Sequence, residues 1–175
     1  MKKLLSLLIL SCASGQAFAH SPELTQLLDE IALQYNNPQL AIAKRSLKDE
    51  TKLPFFLQNI KENSEASLRL KAYLTGLQTA YFGSVNRQID IGGSNWFCMR
   101  DTTVLDPERN PDFVEQLIWK VLDKTAKNDP DKFRRSNYIG SFTVSIDYIV
   151  EYGLQTEYPC YTPIPKSLQL NGWKY

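Results

Sequence analysis

Residues 136–155 read Ser-Asn-Tyr-Ile-Gly-Ser-Phe-Thr-Val-Ser-Ile-Asp-Tyr-Ile-Val-Glu-Tyr-Gly-Leu-Gln, and two periodicities compete in them. Phe142, Val144, Ile146, Tyr148 and Val150 alternate with Thr143, Ser145 and Asp147, as in a strand with one buried face. At a period of 3.6, Ile139, Phe142, Ile146, Ile149, Val150 and Gly153 share one helical face instead. The β-branched content favours strand. The length, about twenty residues without a turn signal, favours helix. We read the segment as helix on that length, which makes the chain all-α.

Ser21-Pro22-Glu23 supplies a cap, a first-turn proline and an acid at the positive end of a helix dipole. Leu24, Leu27, Leu28, Ile31 and Tyr35 follow at helical spacing. Asn37-Pro38 opens a short second segment through about Ser46, the charged stretch Lys48–Lys52 reads as loop, and Pro54 begins a short helix reaching Lys61. Ser64-Glu65 opens a long helix over about 65–84. Leu68, Leu70, Ala72, Tyr73, Leu74, Leu77 and Tyr81 make it apolar around much of its circumference, as in a central, buried helix. Gly76 inside it costs about 1 kcal/mol relative to Ala, which a close helix approach would offset. Gly92-Gly93-Ser94 keeps residues 85–97 out of that helix. Asn110-Pro111-Asp112 starts another, carrying Phe113, Leu117, Ile118, Val121 and Leu122, and Asn128-Asp129-Pro130 ends it.

Both ends of the chain stand apart. Lys2 and Lys3, the apolar run Leu4–Leu10 and the small-x-small site Ala17-Phe18-Ala19 form an export signal over 1–19, too short for a membrane span. Ile9-Leu10-Ser11-Cys12 is a loose lipobox, but cleavage after Ala19 is the preferred reading over lipidation at Cys12, and the destination is the periplasm. Residues 161–175, with Pro163 and Pro165, read as an extended tail; its Trp173 and Tyr175 could equally be a packed C-terminus. What remains, 20–160, has the size of one domain.

The chain of 175 residues has 20 Lys+Arg against 19 Asp+Glu and a net charge of +1. Losing Lys2 and Lys3 turns that to −1, which gives no electrostatic footprint for nucleic acid. Losing Cys12 leaves Cys98 and Cys160, most simply one disulfide in an oxidising compartment. Two distant thiols and one terminal His fall short of a zinc site. There is no P-loop, dinucleotide fingerprint or nucleophile elbow; no cofactor is implied. His20 would be the processed N-terminus, where amine and ring could chelate copper. An oxidative copper brace needs a second His, and a disordered terminus is the reading taken.

Asp101, Asp106 and Glu108 could do acid/base work, although acids near a helix start more often serve its dipole. The stronger signal is a binding surface. Arg87, Asp90, Asn95 and Trp96 cluster around Gly92-Gly93 just before Cys98, and Arg and Trp dominate protein interfaces. Trp96 and Phe97 could instead be core under that loop. A second candidate is the turn carrying Asn128, Asp129 and Arg134.

The order of the features resembles a known family. An export signal precedes the apolar helix with Tyr73-Leu74-Thr75-Gly76-Leu77, then Phe97-Cys98. A helix ending in Asn128-Asp129-Pro130-Asp131-Lys132 and a last helix closing on Tyr158-Pro159-Cys160 follow. Over residues 68–160 this resembles the Rap/Tai-type immunity proteins of type VI secretion amidase effectors. The resemblance implies an all-α periplasmic domain, free to form a homodimer, that binds a peptidoglycan amidase and occludes its active-site groove. It also favours helix for 136–155. The rival reading is a small periplasmic helical chaperone that binds unfolded clients.

Overall fold

The computed structural model describes residues 20–93 and 95–160; residues 1–19, read above as an export signal with Cys12, and residues 161–175, read as a tail with Trp173 and Tyr175, lie outside the described residues. Among those, every regular element is helical: α1 Pro22–Gln34, α2 Ala41–Ser46, α3 Leu53–Asn59, α4 Glu65–Asp90, a 3₁₀ turn Thr102–Leu105, α5 Phe113–Asn128, α6 Asp131–Arg134, α7 Ile139–Thr143 and α8 Ile146–Glu157. The all-α reading stands, and Cys98 is bonded to Cys160. No described helix is long and apolar enough to cross a membrane.

The α1 start is built as its sequence dictates. Ser21 Oγ accepts from Leu24 N at 3.2 Å, Pro22 occupies the first turn, and Leu24, Leu27 and Ile31 are buried against α5. The centre of the bundle is the α5–α8 pair. Gly153 lets the two helices meet: a Cβ there would stand 2.8 Å from Leu117 Cγ and Val121 Cγ2. At Gly76 a Cβ would meet nothing within 4 Å, so the close approach expected at Gly76 is made at Gly153 instead.

The long helix α4 also departs from expectation. It buries one stripe, Ser67, Leu70, Leu74, Gln78 and Val85, and leaves Leu68 64% exposed on the outside. It is a flank of the bundle, not its axis. Buried Gln78 pins it: Nε2 donates to Leu105 O at 3.1 Å and to Asn110 O at 2.7 Å, tying α4 to the 3₁₀ turn and to the approach to α5. Nor does α4 stop at 84. It runs to Asp90 and closes at Gly92, whose φ of +63° suits a residue without Cβ. Gly92 N donates to Ile89 O at 3.1 Å and Gly93 N to Gln88 O at 2.9 Å, the paired bonds of a glycine-terminated helix.

The segment 136–155 combines features of both of its sequence patterns. It holds two helices, α7 and α8, parted at Val144 and Ser145, both extended. There Leu53 N donates to Val144 O at 3.2 Å and Ile146 N to Thr51 O at 2.8 Å, and Lys52 and Ser145 form an isolated antiparallel bridge. Ahead of α7, Ser136, Asn137 and Tyr138 have φ of 52°, 55° and 65°. A left-handed turn costs about 1–2 kcal/mol for each residue with an ordinary side chain. Tyr138 is held by its hydroxyl, which donates to Glu30 Oε2 at 3.0 Å, and by its carbonyl, which accepts from Ser141 N at 3.0 Å.

Candidate functional site

Extension of α4 to Asp90 relocates the first candidate surface. Arg87 and Asp90 belong to the last turns of a helix, not to a loop. Both are exposed. Between and after them stand Ile89, 54% exposed, and Ile91, 60% exposed. Stopping the helix at 84 hid both isoleucines. The signal that finds them is Gly92 as the left-handed residue just past a helix end, which carries the helix up to it.

Asn95 and Trp96 follow on the return strand of chain and are half-buried. Trp96 stacks edge-on against Tyr81, with centroids 5.8 Å apart, and against Phe97 at 4.4 Å. Phe97 itself is fully buried. The two readings of this pair therefore divide: Phe97 is core, and Trp96 is half-covered against Tyr81 on α4. Cys98 N donates to Tyr158 O at 2.8 Å, and the Cys98–Cys160 bond clamps the same place. The last turns of α4 thus expose Arg87, Ile89, Asp90 and Ile91, and the chain that follows is held to the end of α8 at Cys98.

The second candidate turn is used largely inside the fold. Arg134 grips Glu30 of α1 through Nε at 2.7 Å and Nη2 at 2.9 Å, and this guanidinium holds the Glu30 carboxyl below its ordinary pKa. Asp129 caps α5 and lies 3.7 Å from Arg135 Nη2. Asn128 is exposed at the end of α5. This turn packs on α1 and α7.

The three acids weighed for acid/base work sit in local turns. Asp101 caps the 3₁₀ turn, accepting from Thr103 N at 2.9 Å and Thr103 Oγ1 at 2.7 Å. Its pKa is lowered, mainly by that hydroxyl. Asp106 accepts from Glu108 N at 3.0 Å. A different acid pair stands on α8 facing α4: Tyr81 Oη donates to Glu151 Oε1 at 3.4 Å, and Asp147 lies one turn before Glu151. Burial, reinforced by Asp147, raises the Glu151 pKa; burial likewise pushes Tyr73 up to about 12. A raised carboxyl pKa means that its ionised form costs stability in the folded state, a cost present at neutral pH that fades as pH falls from the raised value to the ordinary 4.5. Glu151→Gln is therefore expected to unfold at a higher temperature than the parent at pH 7. Relief of the like-charge pair alone contributes on the order of 0.5 kcal/mol. The advantage closes on acidification below pH 4.5, and thermal melts across that range would expose an opposite trend.

One concave site was not visible in the sequence. A cavity of about 420 Å³ is lined by His20, Phe113, Trp119, Lys120, Asp123 and Tyr158, among others. His20 is not at a disordered terminus: its ring lies on Trp119 with centroids 4.5 Å apart, and Nε2 is 3.5 Å from Lys61 Nζ. Ser21 N donates to Asp123 Oδ1 at 3.2 Å, so the residue after His20 is bound to α5. Burial and the Lys61 charge lower the His20 pKa. Among the described residues, no group of three or more His, Cys, Asp or Glu side chains could hold a metal ion.

No family model, curated protein or solved structure matches this chain.

Proposed function

We propose that this chain is a periplasmic immunity protein that binds a type VI secreted peptidoglycan amidase and inhibits it by covering the active-site groove. The observation that carries this reading is the end of α4, where Ile89 and Ile91 are more than half exposed next to exposed Arg87 and Asp90. Exposed apolar side chains beside charges at the end of a long helix have the anatomy of an interface hot spot, and rigidity lowers the entropy lost on binding. The leader-like residues 1–19 and the Cys98–Cys160 bond fit an exported protein. The order of the sequence motifs over 68–160 supplies the identity of the partner class.

The test is direct. The genes neighbouring this one are searched for a reading frame with a catalytic Cys and His of amidase type, and its product is assayed on peptidoglycan with increasing amounts of the purified protein; the absence of such a frame counts against the reading. Activity is expected to disappear at equimolar amounts, and an amidase that keeps its full rate with excess protein overturns the reading. A second reading, a helical chaperone, is favoured by exposed Leu33 and Leu68 outside the α4 end. Suppressed aggregation of unrelated unfolded proteins, without amidase inhibition, would select it.

A further inference from the structure

We propose that the cavity along α5 is a binding site for a small aromatic carboxylate, with the ring against Phe113, Leu117 and Tyr158 and the carboxylate toward Lys120. The site is separate from the end of α4 and does not depend on an amidase partner.

One wall follows from the sequence of α5. Phe113, Gln116, Leu117 and Lys120 fall at i, i+3, i+4 and i+7, so they share one face of the helix, and all four line the cavity. Phe113 and Leu117 are buried, while Gln116 and Lys120 are exposed. The facing wall comes from distant segments, with Val104 from the 3₁₀ turn and Tyr158 from the end of α8. The Tyr158 ring stands 6.0 Å from that of Phe113, tilted by 42°. A space of about 420 Å³ lies within the usual size of a small-molecule site, and apolar walls with a few polar groups are the usual lining. An aromatic ring gains both burial and ring-to-ring contact there.

The charges select the sign of the ligand. At one end Asp123 is satisfied: Oδ1 accepts from Ser21 N at 3.2 Å and Oδ2 from Lys127 Nζ at 2.6 Å. His20 beside it has a lowered pKa and is uncharged at neutral pH. Lys61 beside His20 is offset by Glu115 beside Trp119. At the other end one carboxylate serves two ammoniums, because Glu157 pairs with Lys120 Nζ and with Lys124 Nζ, the latter at 3.0 Å. The C-terminus of α8 adds only about half a negative charge. A surplus of positive charge therefore remains beside Tyr158. It repels a cationic guest and gains little from a neutral one. A carboxylate can accept from Lys120, whose side chain is 60% exposed, while Lys124 stays on Glu157.

The purified full chain is titrated at pH 7 with phenylacetate, phenylacetamide, phenethylammonium and acetate, with backbone amide shifts followed by nuclear magnetic resonance. Phenylacetate is expected to shift the amides of 113–120 and of Tyr158 to saturation. Its affinity should exceed that of the amide and of the ammonium by at least about tenfold, and acetate, without a ring, should not saturate. Lys120→Gln is expected to lose about tenfold for phenylacetate and to bind phenylacetamide as before. N-acetylphenylalanine tells a free acid from the last residue of a peptide: tighter binding than phenylacetate assigns the site to chain ends, weaker binding to small free acids. The proposal is overturned by phenylacetate that does not saturate below about 10 mM, by equal affinities across the charge series, or by the same discrimination in Lys120→Gln. Saturation by acetate as strong as by phenylacetate reduces the site to an adventitious anion.

Discussion

Replacing Cys98 and Cys160 together by serine, or reducing the bond between them, is expected to cost about 4 kcal/mol of stability. A crosslink spanning a sequence separation of 62 removes that much loop-closure entropy from the unfolded chain. At about 2–4 °C per kcal/mol for a domain of this size, the melting temperature should fall by roughly 10 °C. The bond closes a region that few other elements hold. Cys98 sits between buried Phe97 and the partly exposed Met99, and its backbone joins the end of α8 through Tyr158. The effect should be graded along the chain in hydrogen exchange: amides near 95–98 and the end of α8 lose protection first, while α1 and the middle of α5 keep theirs. Identical melting curves for oxidised and reduced protein would mean that the bridge contributes nothing to stability.

Ile89→Asp and Ile91→Asp are each expected to weaken amidase binding by about 2 kcal/mol or more, some thirtyfold, if the α4 tip is the contact surface. Both side chains are more than half exposed, so the unfolding free energy should stay within about 0.5 kcal/mol of the parent. Arg87→Ala should behave in the same way. Trp96→Ala is a different test. Its ring rests on Tyr81 and Phe97, so truncation removes packing against α4 and lowers stability along with affinity. Isothermal titration with the three tip variants, alongside their melting curves, separates the effects. Unchanged affinity in all three moves the contact to another surface, with exposed Asn128 at the end of α5 the next position to change.

The parts of the fold that were legible share a cause. The start of α1, the bounds of α5 and the breaking role of Gly92 depend on residues within four positions of one another. Capping, first-turn proline and left-handed glycine act over that range. The half-legible part was the candidate site. Arg87, Asp90 and Trp96 were found by residue type, but their roles differ because the helix runs six residues past the end expected at 84. Ile89 and Ile91 draw their importance from exposure, which no local pattern records. His20 looked like a loose end, because Trp119, on which its ring rests, and Asp123, which accepts from the next residue's amide, lie on α5.

The sequence by itself determined that residues 136–155 would bury Phe142, Ile146, Ile149, Val150 and Gly153, since one-face periodicity is a local property; Ile139, read on the same face, is 41% exposed, because it belongs to the separate helix α7. Only the tertiary structure decided that the segment breaks at Val144 and Ser145. The backbone bonds that make the break come from Thr51 and Leu53, far away in the chain. It also decided that Gly153, not Gly76, is the glycine of close approach, because the need for a missing Cβ arises from Leu117 and Val121 on the facing helix. Spacing along the chain sets which side of a helix is apolar; which neighbour that side meets, and how closely, is set by the packing of distant segments.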